Sequence, residues 1–250
     1  MEDAPVISLN GFSPYPGVEP ELWERFQKWS YEVYAPIMMK YPGRTGIFHY
    51  SIARESPLFP ALVSMHHYDS YSSQKQTYSN QDQIAIQNDN RAWGNRNVMD
   101  GVYSLVYQLI RGFRSNSDAQ NAKPDTRIEN APIMHLEGYR MSLETQEQYN
   151  KWFVNYGMNI FIPLFLKQTG VRGYDYYKFL GRRQGGSNPR ELDYPAYLSI
   201  LYFENLEDFA RYEKSPELIT FHRTLRNTFP GGFDYFWYVQ YQLVSSQRRS

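Results

Sequence analysis

The chain has 250 residues, with 26 Lys+Arg against 26 Asp+Glu, so its formal net charge is zero. That argues against a general nucleic-acid or anionic-membrane binder, which would lack long-range electrostatic attraction. The absence of cysteine removes disulfide frameworks, thiol nucleophiles and iron–sulfur ligands, while 42% apolar residues suffice for a packed core.

The start, Met1-Glu2-Asp3-Ala4-Pro5, is acidic and lacks the basic-then-apolar pattern of a secretory leader. No apolar run reaches the ~20 residues of a membrane span, so the expectation is a cytoplasmic protein without membrane contact. A first strand is read over residues 5–13. Leu22, Phe26, Trp29, Val33 and Ile37 follow at spacings of four, three, four and four, the stripe of an amphipathic helix. Strands at 46–53 and 60–69, a second helical region and a strand at 102–110 complete this set. The Ser-, Asn-, Asp- and Pro-rich stretch after Gly112 reads as an exposed linker. Then the same order recurs: strand 132–141, a helix striped by Tyr149, Phe153, Tyr156, Ile160 and Leu164, strands 173–180 and 195–204, and a helical region broken at Ser215-Pro216. A last strand, 236–244, closes the chain.

The recurrence is a duplication. Gly11, Phe26, Pro36, Gly46 and Tyr50 fall on Gly138, Phe153, Pro163, Gly173 and Tyr177 at one offset, 127 (138 − 11). Phe59-Pro60-Ala61 matches Tyr194-Pro195-Ala196, and Tyr107-Gln108-Leu109 matches Tyr241-Gln242-Leu243. The implied domains are 1–112 and 132–250, joined by a linker at 113–131. Each copy reads β-α-β-β-α-β, the ferredoxin-like order. Both faces of strands such as Tyr197-Leu198-Ser199-Ile200-Leu201-Tyr202-Phe203 are largely apolar, so the sheet face not covered by helices needs a second sheet.

This arrangement resembles a fused pseudo-dimer of the dimeric α+β barrel superfamily. The resemblance implies an α+β fold of two ferredoxin-like repeats packed sheet to sheet, with an aromatic-lined pocket between each sheet and its helices. Muconolactone isomerases, cofactor-free monooxygenases, polyketide cyclases and haem enzymes such as chlorite dismutases share that fold, so fold alone narrows the chemistry weakly.

The duplication supplies an internal control, because polar groups present in only one copy are candidates for a specialised site. His66-His67 stands against Leu201-Tyr202. Successive strand residues face opposite ways, so one of the two is the candidate acid/base and the other is structural. His135, Glu137 and Tyr139 alternate on one strand where the first copy has Ser8, Asn10 and Phe12. Glu137 beside a histidine is a candidate general base, the alternative being an interior hydrogen-bond network. Asn10, Tyr50, Trp93, Tyr139 and Tyr177 are candidates for holding a substrate. Gln108 and Gln240 would donate amide hydrogens to it, or bond across strands. Arg182-Arg183 and Arg190 flank an inserted Gly-Gly-Ser-Asn-Pro stretch that would clamp a carboxylate or form a solvated hairpin. No His-Glu-x-x-His is present, so no metal is expected.

The leading expectation is a cofactor-independent lyase, isomerase or cyclase using acid/base chemistry on a small aromatic or polyphenolic molecule. Its rivals are a cofactor-free monooxygenase, a haem enzyme with His222 or His135 as axial ligand, and a non-enzymatic small-molecule-binding or stress-type module. The first copy, with its polar second helical region, is expected to hold the larger pocket, and homo-oligomerisation is left open.

Overall fold

A computed structural model describes residues 4–54, 56, 58–77, 81–115, 131–140, 142–182, 194–229 and 234–249. Its strands are β1 (Val6–Pro14), β2 (Arg44–Ile52), β3 (Leu62–Tyr68), β4 (Met99–Arg114), β5 (Ile133–Arg140), β6 (Val171–Arg182), β7 (Tyr197–Phe203) and β8 (Asp234–Arg248). Hydrogen-bonded neighbours follow the order β1-β3-β2-β8-β5-β7-β6-β4 and close as a barrel. The helices of the first copy are α1 (Pro20–Trp29), α2 (Ala35–Met38), α3 (Tyr71–Thr77) and α4 (Gln81–Asn95). Those of the second are α5 (Leu143–Trp152), α6 (Met158–Leu166), α7 (Leu206–Glu213) and α8 (Pro216–Thr228). The fold class is the expected α+β.

Contacts divide the chain into two compact units. One comprises Met1–Leu109, Leu180–Leu192 and Tyr241–Ser250; the other comprises Ile110–Phe179 and Asp193–Gln240. The long strands β4 and β8 therefore each begin in one unit and end in the other. Most of the expected linker lies outside the described residues, as do Arg183 and Arg190 and the side chain of Arg182.

The strongest repeat landmarks touch one another. A Cβ on Gly11 would meet Pro60 Cγ at 2.7 Å, and one on Gly138 would meet Pro195 Cβ at 2.6 Å. Each glycine is the close approach that lets a proline ring lie across the strand, so the pairs Gly11–Pro60 and Gly138–Pro195 recur together.

The helical stripes needed correction. Phe26, Tyr149 and Phe153 are buried as expected, but Val33, Tyr156, Ile160 and Leu164 are 43%, 47%, 40% and 39% exposed. The buried positions are instead Ser30, Tyr34 and Met38 in the first copy, and Gly157, Phe161 and Phe165 in the second. A π-helical turn is responsible: Ser30–Tyr34 separates α1 from α2, and Phe153–Gly157 separates α5 from α6. One extra residue in a turn rotates everything after it by about 100°, moving the core face to the next position in sequence. Farther on, Ser215 breaks the last helical region as the sequence suggested. Its side chain accepts from Leu218 N at 3.2 Å and Pro216 takes the first helical position of α8.

Candidate active site

Ring contacts identify which strand face meets the helices in each unit. In the first, His49 lies 4.8 Å from Tyr31 and His66 lies 6.0 Å from Tyr34. In the second, His135 lies 4.7 Å from Phe209 on α7, and Tyr176 lies 4.9 Å from Phe153. Register then places the remaining side chains. Ser8 pairs with His66, and Asn10 with Ser64, which in turn pairs with His49. His135 pairs with Leu201 and Glu137 with Ser199, whose other neighbour is Tyr176.

The second unit assembles four of the expected residues. His135 is fully buried and Glu137 is 4% exposed. They stand two residues apart on one strand, so both project to the same face, and His135 Nε2 reaches Glu137 Oε1 at 3.0 Å. The other ring nitrogen, Nδ1, lies 3.0 Å from Gln240 Nε2 and 3.2 Å from the Val239 carbonyl. Gln240 therefore acts across strands and on the histidine at once. Tyr139 is buried at the end of the same face, edge-on to Tyr149 at 5.6 Å. Burial first, and then the Glu137 charge, push the Tyr149 phenol well above its ordinary pKa. Tyr174 is raised in the same way, chiefly by burial, and its hydroxyl lies 2.5 Å from Ser199 Oγ. Both phenols keep their protons and feel the Glu137 charge as neutral O–H groups. The pKa of His222 on α8 is lowered, because burial, with Arg226 in support, outweighs the Glu137 charge.

The other expected residues lie elsewhere. His66 shares the helix-facing side of the first unit with Asn10, and its Nε2 lies 2.8 Å from Ser64 Oγ. Asn10 accepts from Ser104 Oγ at 2.7 Å and donates to the Ser64 carbonyl at 3.4 Å. His67 points the opposite way, edge-on to Phe48 at 5.0 Å, as strand alternation requires. Trp93 packs on α4 against Phe26 and Trp29. Gln108 is half-buried beside Val6 in the register. Tyr50 and Tyr177 do not line the helix-facing pockets for which they were expected. Both occupy strand positions one step from helix-facing neighbours, His49 and Tyr176, and so face away from the helices.

Tyr177 belongs instead to a cluster that the sequence reading missed. Arg114 forks onto Asp175 with Nη1–Oδ1 at 2.7 Å and Nη2–Oδ2 at 3.4 Å, and Tyr177 donates to Oδ2 at 3.4 Å. Burial pushes the Asp175 pKa up, while Arg114 and the hydroxyls of Tyr177 and Tyr202 pull it back. A Cβ on Gly112 would sit 2.6 Å from Asp175 Oδ1, so that glycine makes room for the carboxylate. The missed signal was a charge in one copy only, since Asp175 falls on Phe48 at the 127 offset.

No family model and no curated protein matches this chain. Solved structures do. An anthrone oxidase-like protein matches with a TM-score of 0.63 at 12% identity, covering 99% of this chain and 94% of that one. A proposed monooxygenase from Fusobacterium nucleatum matches at 0.62 and 9%, covering 100% and 97%. A chlorite dismutase variant from Candidatus Nitrospira defluvii matches at 0.52 and 13%, covering 98% and 93%.

The chain has the dimeric α+β barrel fold.

Chlorite dismutases bring haem into consideration for this barrel, and an axial ligand needs an imidazole nitrogen aimed into a slot that admits the macrocycle. His135 has both ring nitrogens engaged. The layer between α6, α8 and the sheet is occupied by the protein's own rings, with Phe153–Tyr176 at 4.9 Å, Phe161–Phe221 at 5.0 Å and Phe153–Phe221 at 6.1 Å. His135, so engaged, does not fit as an axial ligand, while His222, the other expected ligand, lies on α8 with its ring 5.7 Å from that of Phe221. A cleft of about 570 Å³ on its surface, lined by Lys167, Arg211, Lys214 and Glu217, contains none of the expected site residues. No helix among the described residues is long and apolar enough to cross a membrane.

Proposed function

We propose that this barrel is an acid/base enzyme acting on a small aromatic or polyphenolic molecule, with Glu137 and His135 as its proton-transfer pair. The observation behind the proposal is a buried carboxylate–imidazole contact of 3.0 Å at positions where the other copy carries Ser8 and Asn10. The barrel architecture does not require an ionisable pair there, and a buried pair is costly to keep unless it has a use.

The hydrogen bonds assign roles. With Nδ1 accepting from Gln240, the imidazole carries its proton on Nε2 and donates it to Glu137 Oε1. Glu137 Oε2 is then the group that removes a proton from substrate. The proton taken stays on Glu137 Oε2 and is returned from there, while the His135 Nε2–H bond holds Oε1 and fixes the carboxylate's orientation. Tyr149 and Tyr174, held as neutral phenols, supply O–H groups for an oxyanion developing on the substrate.

The test is solvent-deuterium exchange into a panel of hydroxylated aryl ketones. Glu137→Gln is expected to slow exchange by ~10²–10⁴-fold with little change in the unfolding midpoint. Full exchange in that variant would remove Glu137 from the mechanism.

A second reading is favoured by the names of two neighbours, the anthrone oxidase-like protein and the proposed monooxygenase. In it, the carbanion left by the same proton abstraction is oxidised by molecular oxygen. Oxygen uptake during turnover separates the readings: isomerase or cyclase chemistry consumes none.

A further inference from the structure

The helix-facing side of the first unit contains a group of buried polar atoms that find no hydrogen-bond partner among the described residues. They are Ser8 Oγ on β1, Tyr31 Oη on the π-helical turn, both ring nitrogens of His49 on β2, and Gln87 Nε2 on α4. Ser8 and His49 are 0% and 1% exposed. Native proteins leave few buried polar groups unpaired, because each forfeits its hydration without replacement. Three elements contribute Ser8, Tyr31 and His49 to one layer, which is not what incidental packing defects produce.

Their chemistry defines what would satisfy them. Burial pushes His49 down to about 3 and Tyr31 up to about 12, so the imidazole and the phenol are both neutral. The buried cation on this side, Arg44, is already engaged by the Tyr68 hydroxyl and the Met38 carbonyl, whereas hydroxyls and carbonyls can pair with a hydroxyl, a neutral imidazole and an amide. His49 stands level with Asn10, two residues along from Ser8, and β3 lies between their strands, so Ser8 and His49 are roughly 12 Å apart, which two fused aromatic rings span with a hydrogen bond at each end. Phe26, Trp29, Tyr34 and Trp93 supply ring surface in the same layer.

We infer that the first unit holds a second small-molecule site, distinct from the Glu137–His135 pair, that takes an uncharged bicyclic aromatic with polar groups at its two ends, anchored by His49 and Ser8. This inference does not depend on the catalytic reading of the second unit.

The experiment titrates the intact protein with 2,6-dihydroxynaphthalene, naphthalene and 2-naphthoate by calorimetry and measures melting temperatures. The diol is expected to bind at least tenfold more tightly than either of the others. His49→Phe and Ser8→Ala should each weaken the diol by tenfold or more without lowering the melting temperature of the free protein, since each removes an unpaired buried group. His135→Phe, which reports on the other site, should leave the His49-dependent part of diol binding in place. The inference is overturned if the diol binds no better than naphthalene. It is overturned equally if His135→Phe rather than His49→Phe abolishes binding, or if both first-unit variants melt lower with affinity intact. The last result would mean that bound water already satisfies these groups.

Discussion

Arg114 and Arg248 occupy matching positions near the ends of β4 and β8, at the same offset of 134 (248 − 114) that separates Tyr107 from Tyr241. In the second unit Arg114 forks onto the buried carboxylate of Asp175. In the first unit Arg248 lies over the ring of Phe48, 5.0 Å from its centroid. One ancestral position has thus met its cation in two ways, by a counter-ion and by a π face. The barrel tolerates both. The ion pair is therefore a property of the second unit rather than a requirement of the fold, as are His135 and Glu137 at the positions of Ser8 and Asn10.

The difference is testable because the two solutions fail differently. Removing one member of a buried ion pair strands the other, which typically costs about 3–5 kcal/mol, whereas losing a partly solvated cation–π contact costs about 1 kcal/mol or less. Arg114→Met is accordingly expected to be far more destabilising than Arg248→Met in urea titrations. Adding Asp175→Phe to Arg114→Met, which rebuilds the first unit's apolar partner, should recover most of the loss. Equal costs for the two single variants would show that the Asp175 carboxylate is already neutral or hydrated.

The next difference is in pH dependence. His49 is held neutral by burial, its pKa pushed down to about 3, and its counterpart in the second unit is Tyr176. The unfolded chain protonates that histidine near ~6.5 while the folded chain does not, so stability falls as pH drops through the interval between the two values. Each pH unit in that window costs about 1.4 kcal/mol, giving about 2 kcal/mol between pH 6.5 and 5. His49→Phe should remove this share of the acid sensitivity. An unchanged slope would place His49 in contact with water.

The repeat, the element order and the α+β class were legible because they rest on spacing and on landmark residues that physically touch, such as Gly11 with Pro60. The His135–Glu137 pair was legible for a similar reason: strand alternation fixes that residues two apart share a face. Gln240 was legible only as a residue type, since its approach to His135 depends on the register of β8, which spacing does not give. Asp175 and Arg114 were hidden because their partnership joins strands far apart in sequence. The orphaned nitrogens of His49 were hidden for the opposite reason, since lacking a partner leaves no pattern. The failed part of the helix stripe has a local cause. A π-helical turn looks like ordinary helix in sequence, yet it shifts every later side chain by one position.

That shift gives the smallest expected effect, and here the two copies should agree. Val33 and Ile160 match at the 127 offset, Val33 within the first wide turn and Ile160 just past the second, 43% and 40% exposed. Read as an unbroken stripe, each is a core residue whose replacement by glutamine would leave a buried polar group and cost several kcal/mol. Read with the wide turn in place, each faces solvent, and Val33→Gln and Ile160→Gln should each change stability by no more than about 0.5 kcal/mol. Phe161→Ala, one residue along, provides the contrast, because a buried phenylalanine truncated to alanine costs about 3–5 kcal/mol. A large cost at Ile160 but not at Val33 would mean that the outer face of α6, which also carries Leu164 and continues Tyr156 of the preceding turn, is covered in solution by another molecule.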